Sequence, residues 1–550
     1  MEGRFQFLNE QLVLPNPVDW RLSESPVVDP LWRFHLHYHE FLLDLLAASA
    51  ASSSAALPDR AWDLVRQWID GNPLDDVRGL DDAWHPFCIS RRLPVWIILW
   101  QIAPPDEALA GAVAGSMFRQ ALFLASHLER DLGGNHLLEN ARGLALAGSF
   151  FSGPAADRWL RVSRKILRRE LPEQILPHGE HFERAPMYHA QMLDILLDIR
   201  DTLRVIDPSL STYCGDTAVR MAEFLEQILH PDGEIPLLGD SVLGETPPPH
   251  NLIRQSIDGH VAITRSVATP AAASRIGDYW IWRDGDNYLL LDAGPVGADH
   301  LPAHAHSDLS TIEASVGGKR LIVDSGVFAY RDGGLRSYCR STAAHNLLQV
   351  DNREQCDTWS RFRMGYRGRP IDIQNGVKAD VHWVRMRHDA YRRSAVPQVG
   401  RWIACHQNGP WVIVDWALGE GCHCLANWLH LHPDVQIQQA AEAEFRLRLD
   451  RVVLTLGSLT PGVLEILEGD YCPEFGHRMV APVVRWTNAS GLPAVCGWWF
   501  EWGEDGGSGA SNPVFRSDGC LRWGSAGAEV NWSTHEIFGS AAPQFQQRSI

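Results

Sequence analysis

The densest chemistry in the chain lies in three short segments, HAHSDL (residues 304–309), VDSG (323–326) and STAAHN (341–346). In an extended strand His304 and His306 share one face, because side chains alternate with a period of two. Together with Asp324 and His345 they supply two kinds of donor, imidazole and carboxylate, that Zn2+ accepts in open sites. The same residues would also serve as hydrogen-bonded polar groups at strand ends.

Two upstream segments carry proton-transfer groups. GGNHLLEN (133–140) sets Asn135 and His136 at a helix start, where unpaired backbone N–H groups point outward. Glu139 lies one turn after His136 and can share its face, while Asn135 would equally cap the helix. HGEHFERAPMYHAQ (178–191) puts Glu180 and Glu183 in a loop, with Tyr188 and His189 in the first turns of a helix opened by Pro186. Both rings are expected to face the cavity that the helix ends surround. A fourth segment, NREQCDTWSRFRMGYRGR (352–369), interleaves Arg361 and Arg363 with Trp359, Phe362 and Tyr366. Guanidinium forks suit planar carboxylates and sulfates, and aromatic faces suit sugar rings; a solvated edge strand would have a similar composition.

Other titratable runs are weaker. His35 and His39 fall four apart in HLHYHE without an HExxH pattern, which favours packing in a helical core. Cys422-His423-Cys424 has no second cysteine pair at zinc-finger spacing, and the sequence holds no P-loop or dinucleotide fingerprint.

The elements that must position these groups change character midway. From about residue 31 to 230 apolar residues recur at helical spacing, enough for about eight helices separated by Pro and Gly breakers. Residues 239–260, with Pro247-Pro248-Pro249, read as a linker. Beyond it the period becomes two, in YWIWR, NYLLLDAG, WVIVDWAL, FRLRLDRVVLTL and the pair STIEASV/RLIVDSGVF joined through Gly317-Gly318. The expected organisation is a helical domain over 1–255 and a large antiparallel β-sandwich over 256–550.

Composition bounds the partners. At 550 residues, two domains are the natural division. A net charge of −18 excludes a nucleic-acid backbone as partner. Locally the balance reverses, with eight Arg against four acidic residues between Arg331 and Arg369, Arg340 among them, so an anionic polymer can be held there. The 22 Trp fit either sugar stacking or core filling. The ten Cys lack the spacing of a disulfide scaffold and are read as thiols. The first residues lack an apolar core of signal-peptide length, and no run is expected to reach the length of a membrane span. That predicts a cytoplasmic chain as written, and a periplasmic or secreted one if the start lies further upstream.

In order along the chain, NHLLEN, ERAPMYH, PDGEIPLLGDS, HAHSDL, VDSG, RSTAAHN and WSRFR resemble the motifs of heparinase II/III-type polysaccharide lyases, across most of residues 30–390. AWHPFCISRRLPVW is similar to a pattern common in relatives encoded with capsule and exopolysaccharide genes. The resemblance implies an incomplete (α/α) toroid followed by a β-sandwich. It implies that Tyr188 is general base and acid, that Asn135 and His136 neutralise a uronate carboxylate, and that His304 assists proton abstraction. Glu139 matches a substrate-contact position, and His306, Asp324 and His345 match a structural Zn2+ site. The implied reaction is β-elimination on a uronic-acid-containing polysaccharide, a glycosaminoglycan or an exopolysaccharide. Two other classes stay open: a glycoside hydrolase drawing two carboxylates from Glu180, Glu183, Asp232 and Asp240, or a non-catalytic polysaccharide-binding protein of exopolysaccharide or capsule assembly.

Overall fold

The computed structural model describes residues 3–22, 28–52, 56–75, 82–258, 273–406, 410–502, 513–515, 520–525, 528–542 and 545. They form two compact units: Met1–Phe182 with Tyr188–Glu223 and Asn251–Val261, and Glu183–Met187 with Phe224–His250 and Ala262–Ile550.

The first unit is helical, and proline sets many of its helix starts. Pro30–Tyr38, Pro86–Ile102, Pro154–Gln174, Pro186–Leu203, Pro208–Ile228 and Pro249–Ile257 each open on Pro, whose fixed φ suits the first helical position and whose missing N–H would be unpaired there anyway. This corrects the linker reading of 239–260. The proline tract ends by starting a helix, and only residues 259 and 260 of that span lie outside the described residues.

Ala56–Gly71 shows how these helices pack: Ala61, Trp62, Leu64, Val65 and Trp68 recur at helical spacing and are buried. Trp68 Nε1 donates to His37 Nδ1 (3.1 Å) and Trp96 Nε1 to His39 Nδ1 (2.9 Å), so both histidines are packed as buried core residues. His39 is not on the helix face but is the left-handed cap that ends Pro30–Tyr38. Gly134–Phe150 is buried along most of its length. A Cβ at its Gly143 would come within 2.9 Å of Ser90 Cα, so glycine there allows two helix backbones to approach.

One helix corrects the expectation that no run reaches membrane-span length. Glu107–Ser126 has 20 residues and is long and apolar enough to cross a membrane by length and composition. Its Val113, Met117, Ala121 and Leu124 lie in the helical core, and Gln120 accepts a hydrogen bond from the buried Arg92. These contacts pack one face of the helix into the core.

The second unit is a large antiparallel β domain. Its eight-stranded sheet runs, in spatial order, Pro370–Lys378, Val381–His388, Gln398–His406, Trp411–Leu418, Ala494–Trp502, Val452–Ser458, Glu444–Leu449 and Gln436–Ala441. Glu444–Leu449 alternates cleanly, with Phe445, Leu447 and Leu449 buried. Trp411–Leu418 is buried on both faces. Trp411, Ile413 and Ala417 join a core shared with the five- and four-stranded sheets, while Val412, Val414 and Trp416 pack under Ile537 and Phe538. Among the described residues twelve of the chain's 22 Trp are under 2% exposed, so most of the indole content fills cores.

The five-stranded meander Ala273–Ile276, Tyr279–Asp284, Asn287–Asp292, Ile312–Val316 and Lys319–Ile322 anchors the segment that leads to Asp240. Ile312 and Ala314 face the core, so the intervening Glu313 faces the other way. Burial pushes its carboxyl up to about 8, against the pull of Arg320. Protonated, Glu313 donates to His230 Nε2 (3.0 Å) and accepts from Leu237 N–H (2.6 Å), while His230 Nδ1–H donates to Ser315 Oγ (2.8 Å).

A folded-state pKa above the ordinary 4.5 means that this group's stabilisation is complete below about 4.5 and is lost as pH rises through about 8. Glu313→Gln can make the same hydrogen bonds without titrating. The melting temperature of the parent should therefore fall more steeply than that of Glu313→Gln between about pH 5 and about pH 9. Equal slopes would show that the parent carboxyl is ionised throughout.

Candidate active site

In the helical unit, Gly133 and Gly134 take left-handed φ values of +64° and +51°, turning the chain sharply into the helix that carries Asn135 and His136. Asn135 is 5% exposed. His136 is more open, and its Nδ1–H donates to Glu129 Oε1 (2.8 Å). Asn140 fixes Glu129 in turn: its Nδ2 donates to Oε2 (2.8 Å), and its Oδ1 accepts from the Glu129 N–H (2.9 Å). Proton exchange at His136 is thereby directed to Nε2. Sequence reading passed over Glu129, because the helix spacing that pairs His136 with Glu139 gives no hint of a partner across the Gly-Gly turn.

Glu139 itself is 1% exposed and held by Arg142 (2.8 Å), with Arg91 at 3.7 Å. It belongs to an ion network that also takes in the partly exposed Glu40 and Asp198. Tyr188 is the third residue of Pro186–Leu203 and is 7% exposed. His189 corrects the expectation that it faces a cavity. Its Nδ1 accepts from His181 N–H (3.2 Å) and its Nε2–H donates to Met221 O (3.0 Å). Burial holds it down at about 4, so it stays neutral as a structural pin.

In the β unit, residues 302–310 form turns and irregular backbone, which corrects the strand reading of HAHSDL. His304 and His306 meet through a third residue, Asp240. Asp240 Oδ2 accepts from His304 Nδ1 (3.0 Å), and Oδ1 accepts from His306 Nε2 (2.8 Å). Arg336 closes a fork on both oxygens, with Nη2 to Oδ2 at 2.8 Å. Burial pushes the Asp240 carboxyl up, but Arg336 and the two imidazoles outweigh it and hold the group well below the usual carboxylate range.

Beside this cluster, His306, Asp324 and His345 are all buried, with one potential ligand atom from each lying within 4.8 Å of the others. His345 Nδ1 bonds Asp324 Oδ2 (2.7 Å). The remaining nitrogens, His306 Nδ1 and His345 Nε2, are buried polar atoms without a hydrogen-bond partner among the described residues. Such atoms are costly unless something else engages them, and two imidazoles with a carboxylate suit Zn2+ in the tetrahedral class of sites. The residues therefore fit a metal ion.

The hairpin Cys356–Trp359/Arg363–Arg367 presents Trp359, 55% exposed, and Arg361, 44% exposed in its side chain. Arg363 is exposed on the same arm. Arg340 is placed differently: it is 1% exposed and directs its donors to the carbonyls of Ala305, Ser360, Arg361 and Arg363. Arg336 also donates to Arg361 O (2.8 Å). Two buried arginines thus hold the main chain of the arm that displays the exposed ones.

Of the four carboxylates considered for hydrolysis, Asp240 is committed as above and Asp232 pairs with Arg320 (2.7 Å). Asp240 is thus buried in its own hydrogen bonds, while Asp232 is exposed but held in an ion pair.

Known proteins agree with this architecture. Residues 3–258 match the family description "Heparinase II/III N-terminus" and residues 267–491 match "Heparinase II/III-like, C-terminal". The chain is similar to a heparin-sulfate lyase of Pedobacter heparinus, at 26% identity over 386 residues, 65% of this chain and 57% of that protein. It is also similar to a heparin-sulfate lyase of Bacteroides stercoris, at 24% identity over 389 residues, 62% of this chain and 57% of that protein. The match thus spans a little over half the length of each relative. Among solved structures, a heparinase III crystal structure superposes with a TM-score of 0.76 at 16% identity, covering 94% of this chain and 84% of that one. The heparan sulfate lyase HepC of Pedobacter heparinus gives 0.64 at 19% identity, covering 96% and 87%. With helical and β domains matched in order, the chain belongs to the heparinase II/III family of polysaccharide lyases.

Proposed function

We propose that this protein cleaves a uronic-acid-containing polysaccharide by β-elimination. The observation that carries the reading is shared by His136 and His304: each has Nδ1 engaged by a buried carboxylate, Glu129 and Asp240, which fixes the ring and leaves Nε2 as its other nitrogen, in His304 3.6 Å from Glu183 Oε2. The family's relatives named heparin-sulfate lyase support an anionic polymer as substrate, as does the arginine-bearing arm.

The C5 proton of a uronate becomes abstractable once its carboxylate is neutralised, because the developing enolate needs donors. Asn135 and His136 supply them. Tyr188 removes the C5 proton; the electron pair forms the C4–C5 double bond as the C4–O bond breaks, and the leaving oxygen takes a proton from Tyr188. Trp359, Arg361 and Arg363 hold the polymer. Zn2+ on His306, Asp324 and His345 would neutralise and crosslink these buried donors, a structural role.

The test is a panel of uronate polymers, sulfated glycosaminoglycans first, followed by ultraviolet absorbance, with metal analysis of the same preparation. Expected are a new absorbance from the unsaturated sugar and stoichiometric zinc that a chelator removes at a cost in stability. New reducing ends without absorbance would mean hydrolysis. Binding without either would mean an assembly or binding protein.

A further inference from the structure

We infer that Asp240 is a positioning residue that sets two histidines to opposite tautomers, one for proton transfer and one for metal binding. The inference rests on the reading of His304 as a catalytic group and His306 as a metal ligand. A carboxylate accepts hydrogen bonds and donates none. Both imidazole atoms that touch Asp240 must therefore carry the proton: Nδ1 in His304 (3.0 Å) and Nε2 in His306 (2.8 Å). That leaves Nε2 of His304, which lies 3.6 Å from the buried Glu183 Oε2, as its second nitrogen, and it leaves the His306 lone pair on Nδ1, which has no hydrogen-bond partner among the described residues, in the cluster with Asp324 and His345.

The local backbone keeps the carboxylate on target. Gly239 has a φ of +56°, and a Cβ there would come within 2.8 Å of His304 O. This close turn lets the Asp240 N–H donate to that same carbonyl (3.0 Å). Arg336 then locks the carboxylate plane from the other side, using both Nη atoms. A single side chain thus orients both neighbours, as carboxylates behind metal-bound histidines commonly do for one.

Asp240→Asn tests this, because an amide offers one acceptor oxygen and one NH2. Arg336 donates to both oxygens, so in either orientation the NH2 meets one Arg336 donor and one histidine, and that histidine can bond it only by giving up its proton on that nitrogen. Zn2+ affinity, measured by competition with a chromophoric chelator, should fall about 10- to 100-fold. Turnover on a cleaved polymer should fall while KM stays within about threefold, as expected when an interaction made in the transition state is lost. Unchanged zinc affinity together with unchanged turnover would overturn the inference.

Should Asp240→Asn fail to fold, the parent protein still decides. In 15N-histidine spectra near pH 7.5, with resonances assigned through His304→Gln and His306→Gln, His304 should carry its proton on Nδ1 and His306 on Nε2. The reverse tautomer at either residue would overturn the inference. The tautomer measurement needs neither substrate nor turnover, so a protein that cleaves no uronate polymer would refute the lyase reading and leave this test intact.

Discussion

Tyr188→Phe should leave a folded protein whose elimination rate is lower by about two to four orders of magnitude, the range for losing a general acid or base. The substitution removes one hydroxyl from a residue that is 7% exposed and sits in the first turn of Pro186–Leu203. The ring keeps its packing, and the lost hydrogen bonding costs about 1 kcal/mol of stability, a small fraction of a domain's total. A phenol has an ordinary pKa of about 10, so as a base it depends on donors around it, and as an acid it returns the same proton to the leaving oxygen. One hydroxyl serves both steps in this scheme, which is why the expected loss exceeds that for any substrate-holding residue. Single-turnover absorbance on a polymer the parent cleaves, beside circular dichroism of both proteins, checks it. Near-parental turnover in Tyr188→Phe would remove Tyr188 from the mechanism while leaving the family assignment in place.

The change of period from helical to alternating was legible in the sequence because burial writes itself into apolar spacing. Phe445, Leu447 and Leu449 lie inward as their alternation requires, and Trp62, Val65 and Trp68 inward as a helix requires. The linker expectation failed at Pro249 because a proline tract reads as a breaker from one side and as a helix start from the other. The pairing of His304 with His306 was expected for the wrong reason. Strand alternation does not bring them together; Asp240 does, from 64 and 66 residues upstream. An Asp in a Gly-Asp-Ser turn has the composition of any turn, so nothing local marks it as the junction of a site.

Burial of charge was the other hidden quantity. Arg336, Arg340, Arg361 and Arg363 look alike in sequence, yet the first two are buried and grip main-chain carbonyls while the last two are exposed. Glu139 likewise shares its one-turn spacing with countless surface residues, but it sits inside an ion network with Arg91 and Arg142. Spacing fixes which face a residue occupies, and only the tertiary arrangement decides whether that face meets water.

Arg401→Leu should destabilise the β unit by about 3–5 kcal/mol, the cost of stranding a buried charge. Arg401 and Asp415 are direct cross-strand partners in the eight-stranded sheet, each with a side chain 1% exposed. The guanidinium donates through Nε (2.7 Å) and Nη2 (2.8 Å) to the two carboxylate oxygens, and Asn427 adds a third donor to Asp415 (2.7 Å). Its Nη1 reaches past the sheet to the carbonyls of Ser310 (2.7 Å) and Asn346 (2.6 Å). Ser310 follows the HAHSDL segment and Asn346 follows His345, so one guanidinium ties the sheet to both stretches that carry proposed metal ligands. Leucine fills part of the space but supplies no donor, leaving Asp415 with Asn427 alone and two buried carbonyls unpaired. Urea unfolding should show the loss as a lower midpoint at similar slope. Arg401→Leu combined with Asp415→Leu should recover part of it, because the stranded charge is gone even though the carbonyls remain unpaired. A loss below about 1 kcal/mol in the single variant would mean that water reaches Asp415 and that the pair is not the buried tie its geometry describes.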